Sequence, residues 1–461
     1  MRRLQLDLLR CLLPVAFVLV FPLALQPAWL ADVRLPGDSL SEELMRAQHL
    51  AQFEPWLTQS HERLGLAWHE SGEYPSAVES LMAAEALGGL SGDGKIALAV
   101  SLTNVFDHRA GAAWLEALSQ PDLKEFLFLQ ADRSLRQMGL LSERTEAAEM
   151  WVAAYPSSAL AHRALGACLS VQQPDRAIAS LYVNGQVVAG GQILWAALDN
   201  FSRSDDLGRR WMEVGQALGQ LGEWRLAAAA FEYSVDAEPR LAETWALLGE
   251  ARDQAGLDGG QALQTAYSLN NQSAVTLGLL GLHERRAGNY GGAMMYLERA
   301  ARLEPAKAIW QLELAATYEA LGDLPRTQSF LVEAARLEPR NPQVWRTIAA
   351  FTLAHAVEIS ETGLPAARQA AALAPEDPLS LDMMGQVLLA LGDAPTARRY
   401  FSQAVEIAPT NAALWYHLGQ AAAATNDNTT AYNAFMNVVQ MAGSGDLVDL
   451  ANQYLQKMEG E

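Results

Sequence analysis

The sequence predicts an all-α solenoid of about ten to eleven stacked helix-turn-helix units. Two observations lead there. Gly recurs at the eighth place of blocks beginning at Gly208, Ala242, Ala274, Pro378 and Ala412, giving Gly215, Gly249, Gly281, Gly385 and Gly419. The period is about 34 residues, so each unit is too small to bury its own apolar face and must lean on its neighbours. The second observation is the helical spacing inside the blocks. In the first, Trp211, Val214, Gly215 and Leu218 mark one amphipathic helix, Gly222-Glu223 a turn, and Ala227, Phe231 and Ser234 a second helix that stops at Pro239. Small residues at the eighth and twentieth places let paired helices approach, and Phe231 fills the space between them.

At the N-terminus, Arg2, Arg3 and Arg10 precede an apolar run from Cys11 to Leu30, which gives way to Asp32, Asp38, Glu42 and Glu43. Positive charge on the N-terminal flank keeps that end cytoplasmic and sends the downstream chain across the membrane. Residues 1–31 are therefore expected to be a signal peptide or membrane anchor, and the chain to be exported. An uncleaved anchor is preferred because no Ala-x-Ala site is present. Secretion after cleavage is the alternative, since Pro14, Pro22 and Pro27 make the run a poor continuous helix. Residues 32–57 are a lead-in.

A degenerate array is expected over 58–206. It opens with a good unit, Leu64-Gly65, Trp68, Gly72, Tyr74, Ala77, Leu81 and Ala84. Between Ser91 and Pro121 the pattern fades to two plain helices, and the units near Glu125 and Ala159 are weak. Asn184 to Asp206, with Gly185, Gly190, Gly191 and the polar Ser202 to Asp206, is expected to be irregular and to divide two arrays. The regular array is assigned to 207–443. Its motif returns in Leu280-Gly281, Gly288, Tyr290, Ala293, Leu297, Ala300 and Pro305, and again in Gly385, Gly392, Ala397, Phe401, Ala404 and Pro409. The unit near Ala308 has Ala315 for the expected Gly, and the one near Pro342 stretches by about two residues around Glu358 to Leu364. Residues 444–461 supply a capping helix, with Leu447, Val448, Leu450, Ala451, Tyr454 and Leu455 on its apolar side.

This pattern of Trp, Leu-Gly, Tyr, Gly, Ala, Phe, Ala and Pro resembles the tetratricopeptide repeat (TPR) family. The resemblance implies a right-handed superhelix and a binding role without catalytic residues. It also implies that the concave face is lined by places two, five, nine and twelve of each first helix. Those places offer Arg209, Gln216, Glu243, Glu250, Asp253, Arg285, Gln386 and Gln420. The set is polar and of both signs, unlike the Lys/Asn-rich clamp with which some family members grip a C-terminal carboxylate.

Composition narrows the partner. The net charge is −20, and Lys95, Lys124, Lys307 and Lys457 are the lysines, so a broad phosphate-neutralising surface and nucleic acid are excluded as the main ligand. The two cysteines, Cys11 and Cys168, have no metal-ligand spacing. His61-Glu62 and His283-Glu284 lack a second His at the required distance, and Gly259-Gly260 and Gly291-Gly292 form no phosphate loop. No cofactor and no metal are expected. Trp211, Trp245, Trp345 and Trp415 recur at the fourth place, and packing explains them better than an aromatic cage.

The chain is thus expected to be a non-catalytic scaffold of the bacterial cell envelope that binds a protein or peptide, with the membrane engaged through its N-terminal segment. An accessory subunit of an envelope enzyme, in polysaccharide or lipoprotein handling, is the alternative. An enzyme with a site in 91–206 is the weaker one. Oligomeric state is open.

Overall fold

The computed structural model describes residues 40–201, 206–442 and 446–459. The expected leader at 1–31, with Cys11, and the polar Ser202 to Asp205 lie outside the described residues. Two compact units divide at Pro121 and Asp122. Among the described residues there are twenty-five α-helices. Twenty-two of them form eleven consecutive antiparallel hairpins, and three stand alone.

In the first unit, α1 (Leu40–Phe53) precedes the hairpins α2 (Thr58–Glu70) with α3 (Tyr74–Gly88) and α4 (Gly92–Asn104) with α5 (Ala110–Leu118). Trp114 is fully buried there and donates its indole N–H to Thr103 Oγ1 at 3.0 Å.

The second unit begins with α6 (Glu125–Met138) and α7 (Leu141–Ala154), then α8 (Ala159–Leu169) and α9 (Pro174–Leu181). A small antiparallel pair comes next, β1 (Tyr182–Val183) and β2 (Gln186–Val187). The unpaired helix α10 (Gln192–Phe201) packs against α11 (Leu207–Gln220). Within this all-α architecture, Asn184 and Gly185 adopt positive φ and fold the tight hairpin between the two strands. The structure corrects the sequence reading at one point: the stretch expected to be irregular contains the helix Gln192–Phe201.

The regular hairpins are α11 with α12 (Trp224–Ala237), α13 (Ala242–Gln254) with α14 (Gly260–Leu269), α15 (Ala274–Arg286) with α16 (Tyr290–Leu303), and α17 (Ala308–Ala320) with α18 (Leu324–Leu337). They continue as α19 (Pro342–Ala354) with α20 (Leu364–Leu373), α21 (Pro378–Ala390) with α22 (Ala394–Ile407), and α23 (Ala412–Ala424) with α24 (Asn428–Ala442). The cap is α25 (Asp446–Glu459), whose Val448, Ala451 and Leu455 are buried, Ala451 and Leu455 in one cluster with residues of the last hairpin. Leu450, assigned to that apolar side from sequence, is instead 41% exposed.

Two joints repeat along both units. At the eighth place, a Cβ on Gly215, Gly385 or Gly419 would stand 2.5–2.6 Å from the ring of Phe231, Phe401 or Phe435. Leu plays the same part opposite Gly65, Gly166, Gly249 and Gly281. At the fifteenth place the backbone is left-handed in ten of the eleven hairpins, by Gly in most and by Phe106, Ala356 and Asn426 in three. The register therefore persists through units whose motif had faded. Three of the fourth-place tryptophans, Trp245, Trp345 and Trp415, each donate to the carbonyl of the proline six residues earlier at 2.8 Å, and Trp211 stacks on Tyr233. This is packing, and no cage forms.

Candidate functional site

The eight residues read from the sequence as a binding face fall into separate local arrangements. Glu250 and Asp253 of α13 meet Arg286 of α15, a residue the sequence reading did not single out. Its guanidinium is held by both Glu250 oxygens at 2.8 and 2.9 Å and by Asp253 at 3.2 Å. Arg285 turns the other way and pairs with Glu313 of α17 at 2.9 Å. Arg209 pairs with its own cap residue Asp206, Gln386 donates to Asp382, and Gln420 donates to Tyr416. Gln216 is half-buried and Glu243 exposed. Most of this face is thus engaged in bridges within or between adjacent first helices. The hydrogen bonds of Glu250 lead the causes that hold the Arg286 guanidinium above its usual range.

One group here has the donor types of a metal site. Ligand atoms of Asp253, Asp258 and His283 lie within 4.8 Å of one another. The set is already satisfied internally. Asp253 accepts from the Gly259 N–H at 2.9 Å and contacts His283 Nδ1 at 2.8 Å beside Arg286, and Asp258 accepts from the Gly260 N–H. A guanidinium on the central carboxylate supplies the positive charge an ion would bring.

A different cleft lies between α6, α7, α8 and the turn leading into α12. Its volume is about 330 Å³, and it is lined by Asp132, Arg133, Arg136, Arg144, Arg163 and Glu223 among others. Arg144 is the structural centre. Its side chain is 4% exposed, bound to Asp132 at 2.7 Å and to both oxygens of Glu223 at 2.6 and 2.8 Å. Burial alone would raise the Glu223 carboxyl, but the hydrogen bonds and charge of Arg144, with Arg136, outweigh it and hold the group below its usual range. Burial opposes the charge of Arg144 too, and the same partners more than offset it.

The other three arginines are differently placed. Arg136 reaches Glu223 only at 3.3 Å and is 41% exposed. Arg133 donates to the Met441 carbonyl at the end of α24 and forms no ion pair among the described residues. Burial, then the charge of Arg136, lowers its pKa. Arg163 is half-buried, with neither an ion pair nor a hydrogen bond among the described residues. Four guanidiniums thus face two carboxylates in a concavity of a chain whose net charge is −20. Low-dielectric walls concentrate that local positive field, and guanidiniums suit planar anions.

These residues were missed for a definable reason. Arg133 and Arg136 occupy places nine and twelve of the unit from Glu125, and Arg163 place five of the unit from Ala159. They hold the register expected of the binding face, but in units whose motif is too weak to mark that register in the sequence. Cys168, buried behind the cleft, has its thiol pushed up to about 12 by burial, which leaves it unreactive.

No curated protein matches the chain. The family description of the tetratricopeptide repeat matches residues 383–446. Among solved structures the chain is similar to yeast Tom70, with 13% identity over 91% of this chain and 92% of that one and a TM-score of 0.48. It is also similar to a chain of the APC/C hetero-tetramer Cut9-Hcn1, with 11% identity, 91% and 93% coverage and a TM-score of 0.44. A third is YrrB, described as a TPR protein with an unusual peptide-binding site, with 16% identity, 42% and 98% coverage and a TM-score of 0.32. Residues 383–446 thus match the tetratricopeptide repeat, and the same eighth- and fifteenth-place joints recur ahead of them.

Proposed function

We propose that the chain is a non-catalytic scaffold that docks an acidic segment of a protein partner in the groove of its superhelix. The observation that carries this reading is the arginine cleft. Arg133, Arg136 and Arg163 line one cleft and exceed the carboxylates available to them, so a partner's Asp or Glu side chains supply the missing charge. Charge-assisted contacts of this kind fix register and speed encounter. Location in the bacterial cell envelope, with the N-terminal segment as anchor, belongs to the same proposal and rests on Arg2, Arg3, Arg10 and the apolar run to Leu30.

Site-specific photocrosslinking in the source cells tests it. A crosslinker at Leu160, in the cleft wall, should give a discrete adduct with an acidic-segment protein in the envelope fraction. Equal labelling from Leu160 and from the exposed Glu146 of α7, or a cytosolic scaffold, would count against it.

A further inference from the structure

A second cleft, independent of the arginine site, lies between α18 and α20, the second helices of consecutive hairpins. It exists because the connection after α19 is irregular. Ala356, with φ of 51°, is the ordinary fifteenth-place joint, but here Glu358 two residues on is left-handed as well, with φ of 45°. The chain then winds through a five-residue π-turn, Ile359–Gly363, before α20 begins. The helix beyond it has 10 residues, where α18 and α22 have 14. Gly363 is required at the turn's end, because a Cβ there would stand 2.3 Å from Thr352 Oγ1.

The shortened helix opens a cleft of about 470 Å³ lined by Val332, Trp345, Ile348, Val357 and Pro365, among others. Val332 at its mouth is 63% exposed. The lining includes Glu358 and Glu361 and no Lys, Arg or His. Thr362 and Gln328 donate to Glu358, at 2.7 and 3.3 Å, and neither neutralises it. Glu361 is exposed, with no ion pair or hydrogen bond among the described residues. Strained backbone beside an open apolar cleft is a feature that persists at ligand sites.

We infer that this cleft is a docking site for a partner segment that seats large apolar side chains against Val332, Trp345 and Ile348 and sets Lys or Arg beside Glu358 and Glu361. The volume accommodates more than one such side chain, and the charge at the rim selects against acidic flanks.

The probe is a fluorescein-labelled amphipathic peptide with leucine and tryptophan on one face and lysine on the other, titrated into the full chain by anisotropy. A control peptide carries glutamate for lysine. The lysine peptide should bind and the glutamate peptide should not. Val332→Arg, at an exposed position, should weaken binding at least about tenfold by removing the apolar anchor. Glu361→Lys should weaken it about three- to fivefold and flatten the salt dependence. Circular dichroism identical to wild type shows that each variant folds. Failure of the lysine peptide to bind, equal binding of both peptides, or an unchanged Val332→Arg would overturn the proposal. So would a dimer that Val332→Arg converts to monomer, which makes a second copy the occupant. Deleting residues 1–39 should leave affinity unchanged, and a gain would make the chain's own N-terminal segment the occupant. Peptide binding here, with or without acidic-peptide binding at Arg163, separates this site from the arginine cleft.

Discussion

In the hairpins α21–α22 and α23–α24, Gly385 and Gly419 at the eighth place and Ala397 and Ala431 at the twentieth bring the helices together over buried Phe401 and Phe435. In α6–α7 of the same unit, the eighth place holds Asp132 and the twentieth Arg144, joined at 2.7 Å, and Glu223 completes the pair from two hairpins further on. One joint is small, apolar and confined to its own hairpin. The other is charged and spans neighbours. The register has been kept while the chemistry that fills it has been exchanged, and the charged version stands beside a surplus of arginines.

The comparison breaks most easily at Arg144. Its replacement by Ala leaves half-buried Asp132 without its partner and buried Glu223 with only Arg136 at 3.3 Å, and should cost about 3–5 kcal/mol. The loss should appear as reduced hydrogen-exchange protection in α7 and α12. The triple variant D132G/R144A/E223Q, which restores the small joint, should recover most of it. A triple variant as unstable as the single one would mean that the ion pair does not substitute for the Gly/Ala contact.

Acid should act on the same region. The Glu223 carboxyl sits below its ordinary value of 4.5 in the folded chain, so its contribution is complete above that pH. It is lost as pH falls below 4.5 through the folded-state value. Protection of α7 should therefore fall with acid before that of α22, and E223Q should remove the difference.

A smaller effect is expected in the regular half. Gly385→Ala forces the added methyl against a fully buried ring, an overpacking of about 1–3 kcal/mol that is partly offset by about 1 kcal/mol of helix propensity. Thermal melting of the variant should fall by a few degrees; a rise would remove the close-approach argument. The smallest effect is at the fifteenth place, where Ala356→Gly relieves about 1 kcal/mol of left-handed strain and should raise the melting temperature slightly.

The same contrast explains what was legible in the sequence. Eighth-place glycines, Phe231 and Phe401, and the terminal prolines name their own roles, because a close helix approach admits few residue types. The α-hairpins and their order followed from them. Asp132 and Arg144 looked like ordinary polar residues of weak units, since nothing local says that Glu223 lies against them across intervening hairpins. The hairpin at Asn184-Gly185 and the π-turn after Glu358 were visible only as irregularity, because backbone conformations of that kind depend on tertiary packing. Glu250 and Asp253, expected on the binding face, share Arg286, which stands at the thirteenth place and not at one of the four places assigned to that face.

The most direct measurement is the anisotropy of a fluorescein-labelled glutamate-rich peptide titrated with the full chain at low and at physiological salt. Arg163 and Arg133 predict saturable binding that weakens steeply with salt and is lost in the R133E/R163E variant while E250R retains it. Equal binding by all three proteins, or none by wild type at low salt, would contradict an acidic partner in the groove.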